Sequence, residues 1–194
     1  MKTINLFRQT TIIGFIGSAV LLTPLSTQAL TVDEVTNPRQ DNGGWVTDMA
    51  DILSDRTENE LNSLIANIEA KNGAEIAVVT VPGTAPAKSP KAFTTELFNY
   101  WGIGKSEPDN GILFLISIAD KRVEIETGYG IENILADAEV ARIIDSKITT
   151  QYKQGNFDRG TLEGVKALVY SPESPANTQD NLKRIFNIGI ENCN

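Results

Sequence analysis

Six polar residues in this chain have the types and spacing to do chemistry. Asp48 and Asp51 stand three apart in "TDMAD". Asp109 and Asn110 precede a run of apolar residues in "EPDNG". Glu132 and Asp137 follow the glycine pair of "TGYGIENILAD". The chain has no histidine, and its only cysteine is Cys193 near the C-terminus. Ser-His-Asp and Cys-His nucleophiles, phosphohistidine chemistry and the usual Cys/His zinc sites are therefore excluded. An intramolecular disulfide is excluded too, although an exported protein could form one. Carboxylates, hydroxyls, amines, guanidinium groups and backbone remain. Clustered carboxylates with a side-chain amide and loop carbonyls suit Ca²⁺ or Mg²⁺.

Gly128 and Gly130 admit three readings beside those carboxylates. A dinucleotide loop would need a third glycine where Asn133 stands, and a helix opening at once. A backbone turn that needs φ > 0 and close strand approach is the plain reading. An ion site bordered by the glycines is the third. For the acidic pair, Asp51 near a helix start is explained by the helix dipole, whereas Asp48 or Asp51 could also activate water. Tyr100-Trp101 are read as core rather than as a binding surface.

The elements that must position these groups follow from pattern and punctuation. Ser54 caps a helix with Leu61, Leu64, Ile65 and Ile68 at helical spacing, ended by Gly73. "AEIAVVTVP" (74–82) is a buried strand. Ser89-Pro90 opens a second helix with Phe93, Leu97 and Trp101 on one face, and Gly102 stops it. "GILFLISIA" (111–119) and "RVEIET" (122–127) form an antiparallel hairpin about a tight turn at Asp120-Lys121. Asp137 caps a third helix with Val140, Ile143, Ile144 and Ile148. A fourth carries Leu162, Val165, Leu168 and Val169. The expected fold is α/β: a three-layer α/β/α sandwich of about four helices around a small mixed sheet, a parallel pair plus the hairpin. A two-residue turn makes paired residue numbers sum to 241, which sets Gly111 opposite Gly130 and Asp109 opposite Glu132. Asp109, Asn110, Glu132 and Asp137 are then the expected metal ligands, and Gly128 and Gly130 shape the loop beside them.

Residues 1–29 read as a signal peptide. Lys2 and Arg8 precede the apolar run 12–22, and cleavage is expected after Ala29. Residues 30–44 are an extended lead-in, 45–170 the domain, and 171–194 a linker and tail. The full chain has 17 basic and 25 acidic residues, a net charge of −8. Such a surplus disfavours nucleic acid and anionic membrane surfaces as partners. The expected location is outside the cytoplasm, with peripheral membrane association at most.

The combination "VTDMADILS", "AEIAVVTV", "DNGILFLISIADKRVEIETGYGIE", "LADAEVARII" and "YKQGNFDRGTLEGVKAL" resembles the TPM domain family over about residues 45–170. With the export signal, it looks most like the thylakoid-lumen members associated with photosystem II repair, and next like exported bacterial members, which implies the thylakoid lumen or the periplasm as its location. The resemblance implies an α/β/α sandwich, calcium binding in some members and an acid phosphatase activity proposed for plant ones. It carries the family's acidic positions onto Asp48, Asp51, Asp109, Glu132 and Asp137. Many relatives also carry a C-terminal membrane helix, for which this chain has no matching apolar run. The expected function is an accessory protein that assists maintenance or repair of a membrane complex, photosystem II by resemblance. The partners are then its integral subunits, and a divalent cation orders the loops. The alternative is a metal-assisted acid phosphatase. In it, Asp109 and Glu132 hold the cation and Asp48 or Asp51 activates water.

Overall fold

The computed structural model describes residues 30–104, 109–132 and 135–170. The expected signal peptide, the linker and tail with Cys193, and Asn133 lie outside the described residues.

A four-stranded sheet in the order β1-β2-β3-β4 forms the centre: β1 Val46–Asp48, β2 Glu75–Val81, β3 Gly111–Ser117 and β4 Arg122–Thr127. β1, β2 and β3 run parallel, and β4 is antiparallel to β3. β2 and β3 are buried almost throughout, as strands covered on both faces must be. β1 is a further parallel strand, inside the segment expected only as the approach to the first long helix. Three residues are too few to show a period.

The helices are α1 Pro38–Asp41, α2 Asp55–Asn72, α3 Pro90–Trp101, α4 Tyr129–Glu132, α5 Asp137–Ile143, α6 Thr150–Tyr152 and α7 Phe157–Tyr170. A π-helical stretch, Ile144–Thr149, joins α5 to α6. The predicted punctuation holds at the two long crossover helices. Ser54 accepts from Thr57 N, and Gly73 ends α2 in the left-handed region at φ 74°. Ser89 accepts from Ala92 N, Pro90 takes the first helical position, and Gly102 ends α3 at φ 62°.

Layering follows from alternation along the strands. A side chain placed on Gly164 of α7 would meet Phe114 and Ile148, so even-numbered β3 residues face α7 and the π stretch. α2 packs on β1 and β2 and against α7, while α3 packs on β3 and β4. Leu61, Ile65, Phe93, Leu97 and Phe114 are fully buried between these layers. The expected α/β/α sandwich is therefore the observed one, with three parallel strands rather than two. Among the described residues, no helix is long and apolar enough to cross a membrane.

One expectation about the sheet is corrected. The hairpin closes at Ser117↔Arg122 and continues to Ile112↔Thr127, so paired numbers sum to 239 and not 241. The connection has four residues, Ile118 to Lys121. Lys121 N donates to Ile118 O at 3.1 Å, and Lys121 adopts φ 52°. Asp120 is not a free turn residue. Its carboxylate accepts from Ser117 Oγ (2.5 Å), Thr84 Oγ1 (2.8 Å) and Thr84 N (3.0 Å). Those bonds tie the hairpin tip to the loop after β2 and widen the turn by two residues.

Candidate functional site

The two groups of candidate carboxylates lie at opposite ends of the sheet. Asp48 is level with Thr80, and Thr80 with Ile116. Asp109 precedes Gly111, the first residue of β3. At about 3.3 Å per residue the separation is roughly 20 Å. The expected division of labour, with a cation at Asp109 and water activated at Asp48 or Asp51, is therefore not assembled.

At the first end, Asp48 closes the loop that leads into α2. Its Oδ2 accepts from Ile52 N (3.0 Å) and Leu53 N (2.8 Å), and the Thr80 hydroxyl donates to Oδ1. Thr80 in turn accepts from Ala50 N at 3.0 Å. Asp51 sits at the exposed crest of that loop with φ 52°, a conformation Asp tolerates better than most residues. Asp158, from the first turn of α7, accepts from Ser54 N at 2.8 Å and joins α7 to the same loop. Burial opposes its ionisation, but hydrogen bonds from the Ser54 backbone and from the Ser54 and Thr57 side chains hold its carboxyl below the ordinary aspartate range.

Glu58, one turn into α2, is the group at this end with raised proton affinity. Burial pushes its carboxyl up, and the charges of Asp48, Asp55 and Asp51 push it further. Sequence reasoning missed Glu58 and Asp158. Glu58 is an ordinary helix residue until the loop folds back over α2, and Asp158 meets Ser54 across more than 100 positions.

At the second end, the glycine stretch meets Asp109 itself. Gly128 N donates to Gly111 O (2.9 Å), and Gly130 N donates to Asp109 O (3.0 Å). Tyr129 N donates to Asp109 Oδ2 at 3.0 Å, so this carboxylate caps the short α4. Asp109 adopts φ 55° to do so. The register places Gly130, and not Glu132, opposite Asp109, because the turn is wider than two residues. A Cβ on Gly128 would lie 2.4 Å from Asp109 O, so the backbones touch there. Gly130 lies within the helical turn of α4, and neither Gly128 nor Gly130 takes the positive φ expected of a turn glycine. Asn110 is buried, and its carbonyl accepts from Glu75 N at 3.4 Å. Asp137 is the exposed first residue of α5. Ala136, and not Asp137, holds the capping position, without a side-chain cap.

Oxygen donors of this kind suit calcium or magnesium. Among the described residues, however, no three acidic, His or Cys residues gather around one point. Asp109 contributes one carboxylate, whose Oδ2 accepts from Tyr129 N.

Comparison with known proteins agrees with the architecture. The TPM domain model matches residues 46–170. The N-terminal domain of a protein from P. gingivalis, solved by NMR, superposes with a TM-score of 0.69 at 30% identity, covering 85% of this chain and 99% of that one. The N-terminal domain of the cg2496 protein from Corynebacterium glutamicum gives a TM-score of 0.53 at 16% identity, over 70% and 85% of the two chains. BA42 from Bizionia argentinensis gives 0.53 at 21% identity, over 67% and 83%. The last two are likenesses of fold alone. No curated protein matches the chain.

Proposed function

We propose that this chain, which belongs to the TPM domain family, serves outside the cytoplasm as a non-catalytic accessory module of a membrane protein complex. The observation that carries this reading is the use of Asp48 and Asp109 as caps of backbone N–H groups. Asp48 holds Ile52, Leu53 and Thr80, and Asp109 holds Tyr129, at opposite ends of the sheet. Acids used as caps shape loops, and shaped loops on a rigid sandwich are the usual means of docking. Export rests on the N-terminal sequence pattern. Photosystem II as the complex, with the thylakoid lumen as the compartment, rests on the sequence resemblance. A divalent cation enters as a stabiliser of the Asp109 loop and carries no chemical step.

Capture from detergent-solubilised membranes tests the reading. The tagged protein should recover integral subunits of one complex and no nucleic acid. Recovery of no membrane subunit would remove it. In a photosynthetic host, normal recovery of a deletion strain from strong-light damage would remove the photosystem version alone.

Glu58 favours a second reading, an acid phosphatase. A carboxyl with raised proton affinity beside Asp48 and Asp51 is suited to protonating a leaving group at mildly acid pH. Arg159 lines a shallow dent beside Ile52 and Asp158, but its guanidinium is paired with Glu163 at 2.6 Å.

A further inference from the structure

A groove of about 480 Å³ opens between the β3–β4 hairpin and the helical layer. Its size falls within the roughly 300–1,000 Å³ of ligand-binding clefts. Ile116, Val123, Tyr152 and Phe157 give it apolar walls, and Ile118 stands at its lip, 36% exposed. The walls are held in place. Tyr152 bonds through its hydroxyl to Thr161 (2.6 Å), and its ring tilts onto Phe157 with centroids 5.0 Å apart. Burial drives the Tyr152 phenol far above its ordinary range, so this wall stays uncharged at any physiological pH. Thr149, which ends the π-helical stretch, also faces the groove. Such stretches are rare and concentrate at functional sites.

The rim reverses the charge of the chain. Lys121 and Lys153 are exposed and pair with no acidic side chain among the described residues, whereas Arg122 is paired with Glu124 at 3.0 Å. The nearby Asp120 carboxylate is occupied by Ser117 and Thr84. Two free ammonium groups over an apolar floor select a ligand that joins apolar side chains to carboxylates. Among the described residues β4 is the last strand of the sheet, and no strand pairs with its outer edge. An extended peptide can use such an edge, and a free amphiphile cannot. A net charge of −8 opposes approach to an anionic lipid surface.

We infer that this groove binds an acidic, apolar peptide segment of a partner protein, which rests on the accessory reading above. The test is selection of randomised seven-residue peptides displayed on phage against the full chain, in parallel with the double variant Lys121→Glu/Lys153→Glu. Both lysines are exposed, so the variant should melt as wild type does. Wild type should enrich sequences that combine Asp or Glu with Leu, Ile or Phe, and the variant should not. The best peptide, labelled and followed by fluorescence polarisation, should bind the variant about tenfold more weakly. Its affinity should also fall as salt rises from about 50 to about 300 mM. Enrichment of nothing, or of the same sequences on both proteins, overturns the inference. So does displacement of the peptide by dodecanoate at equal concentration, or binding of anionic vesicles in its place. If the variant still captures membrane subunits as wild type does, the groove assignment fails while the accessory reading stands.

Discussion

Replacing Gly128 by alanine should be among the most damaging single-methyl changes in this protein. The new Cβ would lie 2.4 Å from Asp109 O, 2.6 Å from Asp109 Oδ1 and 2.9 Å from the Asp109 carbonyl carbon. Two of those atoms are backbone, and no rotamer change moves them. Relief requires the Asp109 loop and the end of β4 to part by about 1 Å, since carbon contacts settle near 3.5 Å. Overpacking of this kind costs about 1–3 kcal/mol. The same movement stretches the bonds Gly128 N to Gly111 O, Gly130 N to Asp109 O and Tyr129 N to Asp109 Oδ2. Each is worth roughly 1 kcal/mol, and they lengthen without breaking. The expected loss is about 2–4 kcal/mol, which for a domain of this size lowers Tm by roughly 6–12 °C. Gly130→Ala is the comparison, because Gly130 sits in the helical turn of α4, where alanine is tolerated. Thermal and urea unfolding of both variants decide the matter. A Gly128→Ala protein as stable as wild type, or a Gly130→Ala protein equally damaged, would refute the register that brings Asp109 onto Gly128.

Three further outcomes are expected. Asp48→Ala removes the acceptor for Ile52 N, Leu53 N and the Thr80 hydroxyl, and should cost about 2–3 kcal/mol in urea unfolding, with partial rehydration limiting the loss. Glu58, with its folded pKa raised, retains its proton in the folded state above pH 4.5, so its contribution to stability falls as pH rises through that window. Asp120 and Asp158 are depressed, and the stability they confer is lost as pH falls below 3.8. Glu58→Gln should therefore stabilise more at pH 7 than at pH 4, as Tm measured across that range will show. Millimolar calcium should raise the Tm of wild type more than that of Asp109→Asn. Equal gains would take the cation away from the Asp109 loop.

The sequence was informative where structure is written locally. Ser54, Gly73, Ser89, Pro90 and Gly102 bound their helices by capping geometry, and that geometry depends only on neighbours. The unbroken apolar runs of β2 and β3 announced strands covered on both faces. It was uninformative where distant segments decide. The hairpin register turned on Asp120, whose partners include Thr84, 36 positions away. A two-residue shift then moved Glu132 from its expected place opposite Asp109. Asp48, Asp51 and Asp109 were picked out as acids, but grouping them needed the parallel register of β1, β2 and β3. That register sends the two groups to opposite ends. Glu58 gained its character from burial and from the charges of Asp48, Asp55 and Asp51, and Asp48 comes beside it only in the fold.

The most direct test of the central claim is hydrolysis of p-nitrophenyl phosphate between about pH 4 and pH 8, the span in which carboxyl acid–base chemistry operates. It should be run with calcium, magnesium or chelator on wild type, Asp48→Asn, Glu58→Gln and Asp109→Asn. If Asp48 and Asp109 act as loop caps at opposite ends of the sheet, turnover by wild type will match that of the folded variants and stay at the buffer level. Metal-dependent turnover by wild type that vanishes in both Asp48→Asn and Asp109→Asn, with both variants still folded, would contradict the account and make those two carboxylates parts of one catalytic centre.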